Sequence, residues 1–204
     1  MERRPIKERG TAWARGLAKL VAGAGFTPNQ ISVFSVVLSI GSALAMMQYQ
    51  YAAAAALIGG RLLCNMIDGM VAVEHNRCSP SGEIFNELPD RLSDTFSLLG
   101  LAYASDCVEL GLWTSLVAVL TAYIRTLSTH AGAPADFGGP MAKQQRMKLA
   151  IAALLICQFK PEWHLWLLPV CLQVILALGV YTCWRRASTA VSYLENHGDE
   201  ARHS

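Results

Sequence analysis

Long apolar runs separated by short polar segments dominate the sequence. Because a helix needs about 20 mainly apolar residues to cross the ~30 Å hydrocarbon core of a bilayer, these runs predict an all-α integral membrane protein with six transmembrane helices. The predicted spans are Gln30–Met47, Tyr51–Val73, Ile84–Ala104, Leu110–Ser128, Leu149–Phe159 and Trp163–Cys183. The fifth run is short, so a chain with five spans is the alternative.

The basic residues give an independent test of the number of spans. With six spans and a cytoplasmic N-terminus, most of the 17 lysines and arginines lie in cytoplasmic segments, and Lys160 alone lies outside. This asymmetry follows the positive-inside rule. It favours six spans with both termini in the cytoplasm, since five spans would place Arg185 and Arg186 outside.

The segment before the first span has the pattern of an amphipathic helix. Apolar residues recur at helical spacing among basic ones, and this is typical of a helix that lies on a membrane surface; they are Trp13, Leu17, Leu20 and Val21. Thr27, Pro28 and Gln30 then predict a capping box at the start of the first span. The expected organisation is a juxtamembrane segment (1–26), a six-helix transmembrane domain (27–186) and a polar cytoplasmic tail (187–204).

Composition agrees with a membrane protein and excludes other classes. Hydrophobic residues make up 53% of the chain and charged residues 16%, against roughly 25% charged in soluble proteins. A net charge of +2, with no basic block among stacking aromatics, argues against a nucleic-acid partner. The six cysteines form no C-x-x-C pair, so buried thiols are expected.

Polar residues nevertheless recur inside two predicted spans. A charged group within a span costs roughly 2.5–3.5 kcal/mol, so such groups indicate a function. One helical face of the second span carries Arg61, Asn65, Asp68 and Ala72, and one face of the third carries Gly82, Asn86, Asp90 and Asp94. The connection between the spans has only eight residues, which predicts antiparallel neighbours whose polar faces meet.

The resulting pocket has the chemistry of a metal site. Clustered carboxylates repel one another unless a cation is bound, and oxygen ligands favour Mg²⁺ or Mn²⁺. The predicted ligands are Asp68, Asn65, Asn86, Asp90 and Asp94. Gly69 and Gly82 would let a phosphate approach the backbone closely. The alternative is a polar clamp between helices, such as an ion pair of Asp90 with Arg91 or Arg61.

This pattern resembles the motif of the CDP-alcohol phosphotransferase family, D-x2-D-G-x2-A-R followed by eight or nine residues and G-x3-D-x3-D. Here Asp68, Gly69, Ala72, Gly82 and Asp90 match the motif. Asn65 and Asn86 stand where the family has aspartate, and Val73 stands where it has arginine. The resemblance extends from the capping box through six spans to a basic segment before the fifth.

The resemblance implies an enzyme of phospholipid biosynthesis. It would transfer a phosphatidyl, or other substituted phosphate, group from a CDP-linked lipid such as CDP-diacylglycerol to a small alcohol, with release of CMP. By the same resemblance, divalent ions bridge the CDP diphosphate and Asp90 is the base for the acceptor hydroxyl. Gly69, Ala72 and Gly82 would contact CDP, and Arg77 or Arg61 would replace the missing motif arginine.

The acceptor is expected to be anionic. Arg125, Lys143 and Arg146 would bind a polyol phosphate such as glycerol 3-phosphate or an inositol phosphate, although the last two could equally anchor the helix at the cytoplasmic interface. Asp136 is the expected structural partner of Arg125. The resemblance further implies a homodimer in a bacterial inner membrane, with the active site facing the cytoplasm.

The two asparagines change the charge of the motif. Its positions carry about two negative charges instead of about four when the aspartates are ionised, and one divalent ion would balance them. A second ion should bind weakly unless Asp94 takes part. Two other readings stay open: a catalytically degenerate family member, and an ion- or proton-coupled transporter.

Overall fold

The described part of the chain, residues 11–74 and 82–197 of a computed structural model, folds into α-helices joined by short connections and contains no strand. The helices are α1 (Ala12–Gly23), α2 (Pro28–Met47), α3 (Tyr51–Glu74), α4 (Gly82–Tyr103), α5 (Val108–His130), α6 (Lys143–Phe159) and α7 (His164–His197). A 3-10 turn, Pro161–Trp163, precedes α7.

Four of these helices are long and apolar enough to cross a membrane: α2, α3, α5, and α7 together with its 3-10 turn. The other two predicted spans also coincide with helices. However, α4 carries several charged residues and α6 has only 17 residues, about 26 Å at the usual rise. An all-helical fold with apolar spans is therefore confirmed, and the number six stays a prediction.

The start of α2 matches its predicted capping box. The Thr27 side chain accepts a hydrogen bond from the Gln30 backbone N–H at 3.3 Å, and the Gln30 side chain accepts one from the Thr27 N–H at 3.0 Å. Pro28 occupies the first helical turn, where it needs no hydrogen-bond donor. The entry into the bundle is therefore fixed by local sequence.

The predicted amphipathic segment is helix α1, which packs on α3. Three alanines let the two helices approach closely, and they are Ala14, Ala18 and Ala22. Trp13 and Leu20 point outwards, with 56% and 68% of their surface exposed. The alanine face, together with the half-buried Leu17 and Val21, thus makes the contact with the bundle.

The remaining helices form a ring. Their order is α2, α4, α5, α7, α6 and α3, which closes on α2, and α4 also packs on α7 across the ring. The predicted meeting of the polar faces of α3 and α4 is confirmed, because Arg61 of α3 binds Asp94 and Asn65 of α3 donates to Asp90 of α4. Helix α2 packs against both helices. Small buried side chains on α2 let α3 and α4 approach its backbone closely; they are Ser32, Ser35, Ser39 and Ser42.

The charged groups and the large apolar core occupy different ends of the ring. The buried charges lie in the second half of α3 from Arg61 to Asp68, at Asp90 and Asp94 on α4, at the start of α6 and at Arg186 on α7. Ile58, Leu101, Leu154 and Leu168 belong to the apolar core cluster. Helix α7 continues as a helix through the predicted tail as far as His197. Most of the buried charged side chains therefore lie towards one end of the bundle.

The contact between α2 and α4 predicts a sensitive position. A Cβ atom on Gly100 would lie 2.8 Å from the Cα of Ala43, whereas one on Gly59 would meet no atom within 4 Å. We expect Gly100→Ala to destabilise the fold by about 1–3 kcal/mol through overpacking, and Gly59→Ala to stabilise it by about 0.5–1 kcal/mol. Thermal unfolding of the two purified variants in detergent measures both effects, and equal midpoints would contradict the packing described.

Candidate active site

Asp68 lies in the last turns of α3 and is almost fully buried, with 4% of its surface exposed. The Ser32 hydroxyl of α2 donates a hydrogen bond of 2.6 Å to its Oδ2. Its other oxygen, Oδ1, is buried and has no hydrogen-bond partner. Such an oxygen is costly unless a ligand completes it, so Asp68 has one open position.

Asp90 of α4 is held by donors from three directions. The Asn65 side-chain amide of α3 donates to its Oδ1 at 2.5 Å, and the Lys143 ammonium of α6 binds the same oxygen. The guanidinium of Arg91 lies 3.6 Å from Oδ2. Since Asn65 and Asp68 are one turn apart on α3, the carboxylates of Asp68 and Asp90 share one pocket.

Asp94, one turn further along α4, forms a buried ionic triad with two arginines. Arg61 of α3 binds its Oδ1, and Arg146 of α6 donates to its Oδ2 at 2.6 Å. All three side chains are at most 1% exposed. Charges this deep need partners, and the pairing links α3, α4 and α6.

The triad accounts for several residues with predicted ligand roles. Both oxygens of Asp94, a predicted metal ligand, face guanidinium groups. Arg61, predicted for CDP, and Arg146, predicted for the acceptor, point into the bundle and bind Asp94. Lys143 and Arg146 are thus buried instead of anchoring α6 at the interface, because α6 begins at Lys143 and directs its first turn inwards.

Arg125 of α5 has a different partner from the one predicted. Its guanidinium binds Glu87 of α4 at 2.6 Å and lies 4.9 Å from the centre of the Phe137 ring. The prediction of Asp136 is wrong: that carboxylate accepts from the Gly138 N–H at 2.7 Å and lies 3.6 Å from Arg185. Direct packing of α4 on α5 brings Glu87 to Arg125.

The other predicted site residues are less closely gathered. Gly69 and Gly82 are half-buried and Ala72 is buried at the same end of the bundle, but the Asn86 side chain is exposed. Arg77 lies outside the described residues. Asn86 therefore does not share the buried position of Asp90.

Two site residues were missed from the sequence, Ser32 and Glu87. Ser32 begins a series of serines, three or four residues apart, on one face of an apolar span, and this spacing signals a polar face towards the bundle. Glu87 lies beside the motif on α4, and an intramembrane acid with no assigned partner could have been matched to Arg125.

The donor set fits a single divalent ion. The open Asp68 Oδ1 is a hard oxygen ligand of the kind that Mg²⁺ and Mn²⁺ prefer. Among residues 11–74 and 82–197, no group of three or more Asp, Glu, His or Cys side chains is placed to hold a metal. Mg²⁺ commonly uses one or two carboxylates and completes its shell with water and phosphate oxygens, so the site fits an ion shared with a phosphate substrate.

Helices that are long and apolar enough to cross a membrane therefore surround a buried pocket of acidic and basic side chains. Residues 26–184 match the family model of CDP-alcohol phosphatidyltransferases. This match covers most of the chain, and the protein therefore belongs to the CDP-alcohol phosphatidyltransferase family, whose members are transferases of phospholipid synthesis.

Similar proteins agree with this assignment. The chain is 25% identical over 189 residues to a phosphatidylinositol phosphate synthase of Mycobacterium marinum, covering 86% of this chain and 76% of the relative. The fold is shared with the Mycobacterium tuberculosis phosphatidylinositol phosphate synthase. Its structure with CDP-DAG bound has a TM-score of 0.76, 21% identity and coverage of 88% of this chain and 94% of that one. Its complex with manganese and citrate has a TM-score of 0.75, 21% identity and coverages of 87% and 88%.

The ionic triad gives a prediction about stability. Asp94→Asn would leave two buried guanidinium groups facing a neutral amide, and breaking a buried ion pair costs about 3–5 kcal/mol. We expect a marked fall in the midpoint of thermal unfolding in detergent. Asp106→Asn, the same change at an exposed residue in the α4–α5 connection, serves as the matched control. Equal midpoints for the two variants would contradict the structural role of Asp94.

Proposed function

We propose that the protein transfers a phosphatidyl group from CDP-diacylglycerol, or another substituted phosphate group from a related CDP-linked lipid, to a small alcohol and releases CMP. The observation that carries the proposal is the open oxygen of Asp68 beside the Asp90 carboxylate, in a chain of this family. One acid is free to bind a cation and the other is oriented to accept a proton.

The diphosphate would bind at Asp68. Asp68 would hold a Mg²⁺ or Mn²⁺ ion, with Asn65, Asn86 and Asp90 as the further predicted ligands, and the ion would supply charge neutralisation for the diphosphate and the CMP leaving group. Gly69, Ala72 and Gly82 are the proposed backbone contacts of CDP. Support for a metal comes from the manganese complex of the tuberculosis synthase.

Asp90 is the proposed catalytic base. Its carboxylate takes the proton of the acceptor hydroxyl as the acceptor oxygen attacks the β-phosphorus. The bond from that phosphorus to the oxygen bridging it to CMP breaks, and CMP leaves with the electron pair. Asn65 and Lys143, which bind Oδ1 of Asp90, hold the carboxylate in one orientation.

The proposed acceptor is a polyol phosphate, such as glycerol 3-phosphate or an inositol phosphate. Arg125, Lys143 and Arg146 are its predicted ligands. Lys143 and Arg146 bind the buried carboxylates Asp90 and Asp94, whereas Arg125, although paired with Glu87, borders a cavity of about 50 Å³ that is also lined by Asp136 and Tyr193. Arg125 is therefore the strongest candidate of the three. The relatives named as phosphatidylinositol phosphate synthases support an anionic acceptor of this class.

The experiment is CMP release by purified protein supplied with CDP-diacylglycerol, Mg²⁺ or Mn²⁺ and a panel of alcohols and polyol phosphates. We expect release that depends on the acceptor. Asp90→Asn should lower turnover by roughly 10²–10⁴-fold, the range for a general base, while CDP-lipid binding persists.

Asp106→Asn is the control for that variant, because it makes the same change at an exposed site distant from the pocket. Full turnover in Asp90→Asn would remove Asp90 from the role of base. No CMP with any acceptor would overturn the proposed transfer, and proton-coupled flux in liposomes would then favour a transporter.

We further propose six spans with both termini in the cytoplasm of a bacterial inner membrane, the pocket facing the cytoplasm, and a homodimer. The charged end of the bundle contains the starts of α4 and α6, which the six-span arrangement places at the cytoplasmic side. The bacterial origin of the M. marinum relative supports the location.

Reporter fusions test this topology. We expect alkaline phosphatase to be active when fused after Asp106, in the α4–α5 connection, and inactive when fused after the last residue of the chain. A green fluorescent protein fused at the same C-terminal position should fluoresce. An active phosphatase at the C-terminus would favour five spans.

A further inference from the structure

The three buried carboxylates of the pocket differ in how many of their oxygens are already bound. Asp94 has a guanidinium on each oxygen. Asp90 has an amide and an ammonium on Oδ1 and a guanidinium near Oδ2. Asp68 has a hydroxyl on Oδ2 and nothing on Oδ1. Among these six oxygens, Oδ1 of Asp68 is the one that is fully buried and has no hydrogen-bond partner.

The charges of the neighbouring side chains also favour a single divalent ion. Four basic side chains contact Asp90 and Asp94, and they are Arg61, Arg91, Lys143 and Arg146. Arg91 also lies 3.5 Å from Glu87, and the other three cations alone equal the three acids of the pocket in number. One divalent ion at Asp68 adds charge that a diphosphate would balance, whereas a second ion beside Asp90 would face the Lys143 ammonium at close range.

Asn65 also acts against a second ion. At 2.5 Å from a carboxylate oxygen, its side chain must present the N–H₂ group, since two acceptor oxygens would repel each other. The amide therefore donates to Asp90, and the face of Asn65 towards Asp90 offers no oxygen to a metal.

We propose that this site binds one divalent cation, at Oδ1 of Asp68, and that the Lys143 ammonium is a built-in cation at the position beside Asp90 that a second ion would occupy. Lys143 is thus a positioning residue for Asp90. The proposal rests on the metal-dependent transfer proposed above, but it concerns the number of ions and does not require turnover.

The test counts Mn²⁺ on the purified full chain in detergent with CDP present, using the electron paramagnetic resonance signal of free Mn²⁺. We expect one Mn²⁺ per chain, with any second ion bound at least 10-fold more weakly. Asp68→Asn should abolish the binding of the first ion. Two ions of similar affinity in the wild type, or an undiminished ion in Asp68→Asn, would overturn the proposal.

A pair of double variants tests the role of Lys143. Asn65→Asp with Lys143→Met should bind two Mn²⁺ ions, because it restores a carboxylate and removes the competing ammonium. Asn65→Asp with Lys148→Met is the matched control, since Lys148 is exposed on the same helix, and it should bind one. One ion in both, at wild-type elution on size exclusion, would overturn the role of Lys143.

If Lys143→Met prevents folding, the single variant Asn65→Asp replaces the double variants. It retains Lys143 and should bind one Mn²⁺ ion. Two bound ions in this variant would overturn the proposal. Because Mn²⁺ counting needs no turnover, the two proposals fail separately. One bound ion without CMP release would contradict the proposed transfer and would support the single-ion site.

Discussion

The ion pairs between Asp94 and two arginines determine how this end of the bundle is built. A buried carboxylate and two buried guanidinium groups are tolerated only as partners, and here they come from α4, α3 and α6. Arg146 and Lys143 are one turn apart on α6. The ion pair of Arg146 with Asp94 therefore also fixes the position and rotation of α6, and with them the contact of Lys143 with Asp90.

The three aspartates consequently have different chemistry, although they are the same residue type. Asp94 is paired on both sides and connects helices. Asp90 is oriented by an amide and an ammonium but remains close to the pocket, and Asp68 keeps an oxygen without a partner. A metal–phosphate site needs both a free oxygen and a fixed base, and the neighbours of each aspartate decide which role it can take.

Local features were predictable from the sequence, and features that depend on how helices associate were not. The capping box of Thr27 and Gln30 and the helical spans are determined by residues a few positions apart. It was harder to predict which residues of α4 share one face. Each four-residue step on a helix of about 3.6 residues per turn advances by about 40° beyond a full turn. Asn86 and Asp94 consequently point about 80° apart, which fits an exposed Asn86 and a buried Asp94. The partner of Arg125 depended on the packing of α5 against α4, which no local pattern encodes.

The asparagine at position 65 and the lysine at position 143 are best understood as one feature. An aspartate at position 65 would bring two carboxylates together at the 2.5 Å contact with Asp90, and only a shared proton or a bound cation could hold them there. The amide removes that demand by donating a hydrogen bond, and the lysine places its ammonium group on the same oxygen. The motif has two acids fewer than the family pattern, and in three dimensions Asp90 and the neighbouring Asp94 are matched by cations from α3, α4 and α6. In the proposed single-ion site, the departure from the family motif would therefore be a change in where the positive charge comes from, with the carboxylate of Asp90 still held by Asn65 and Lys143.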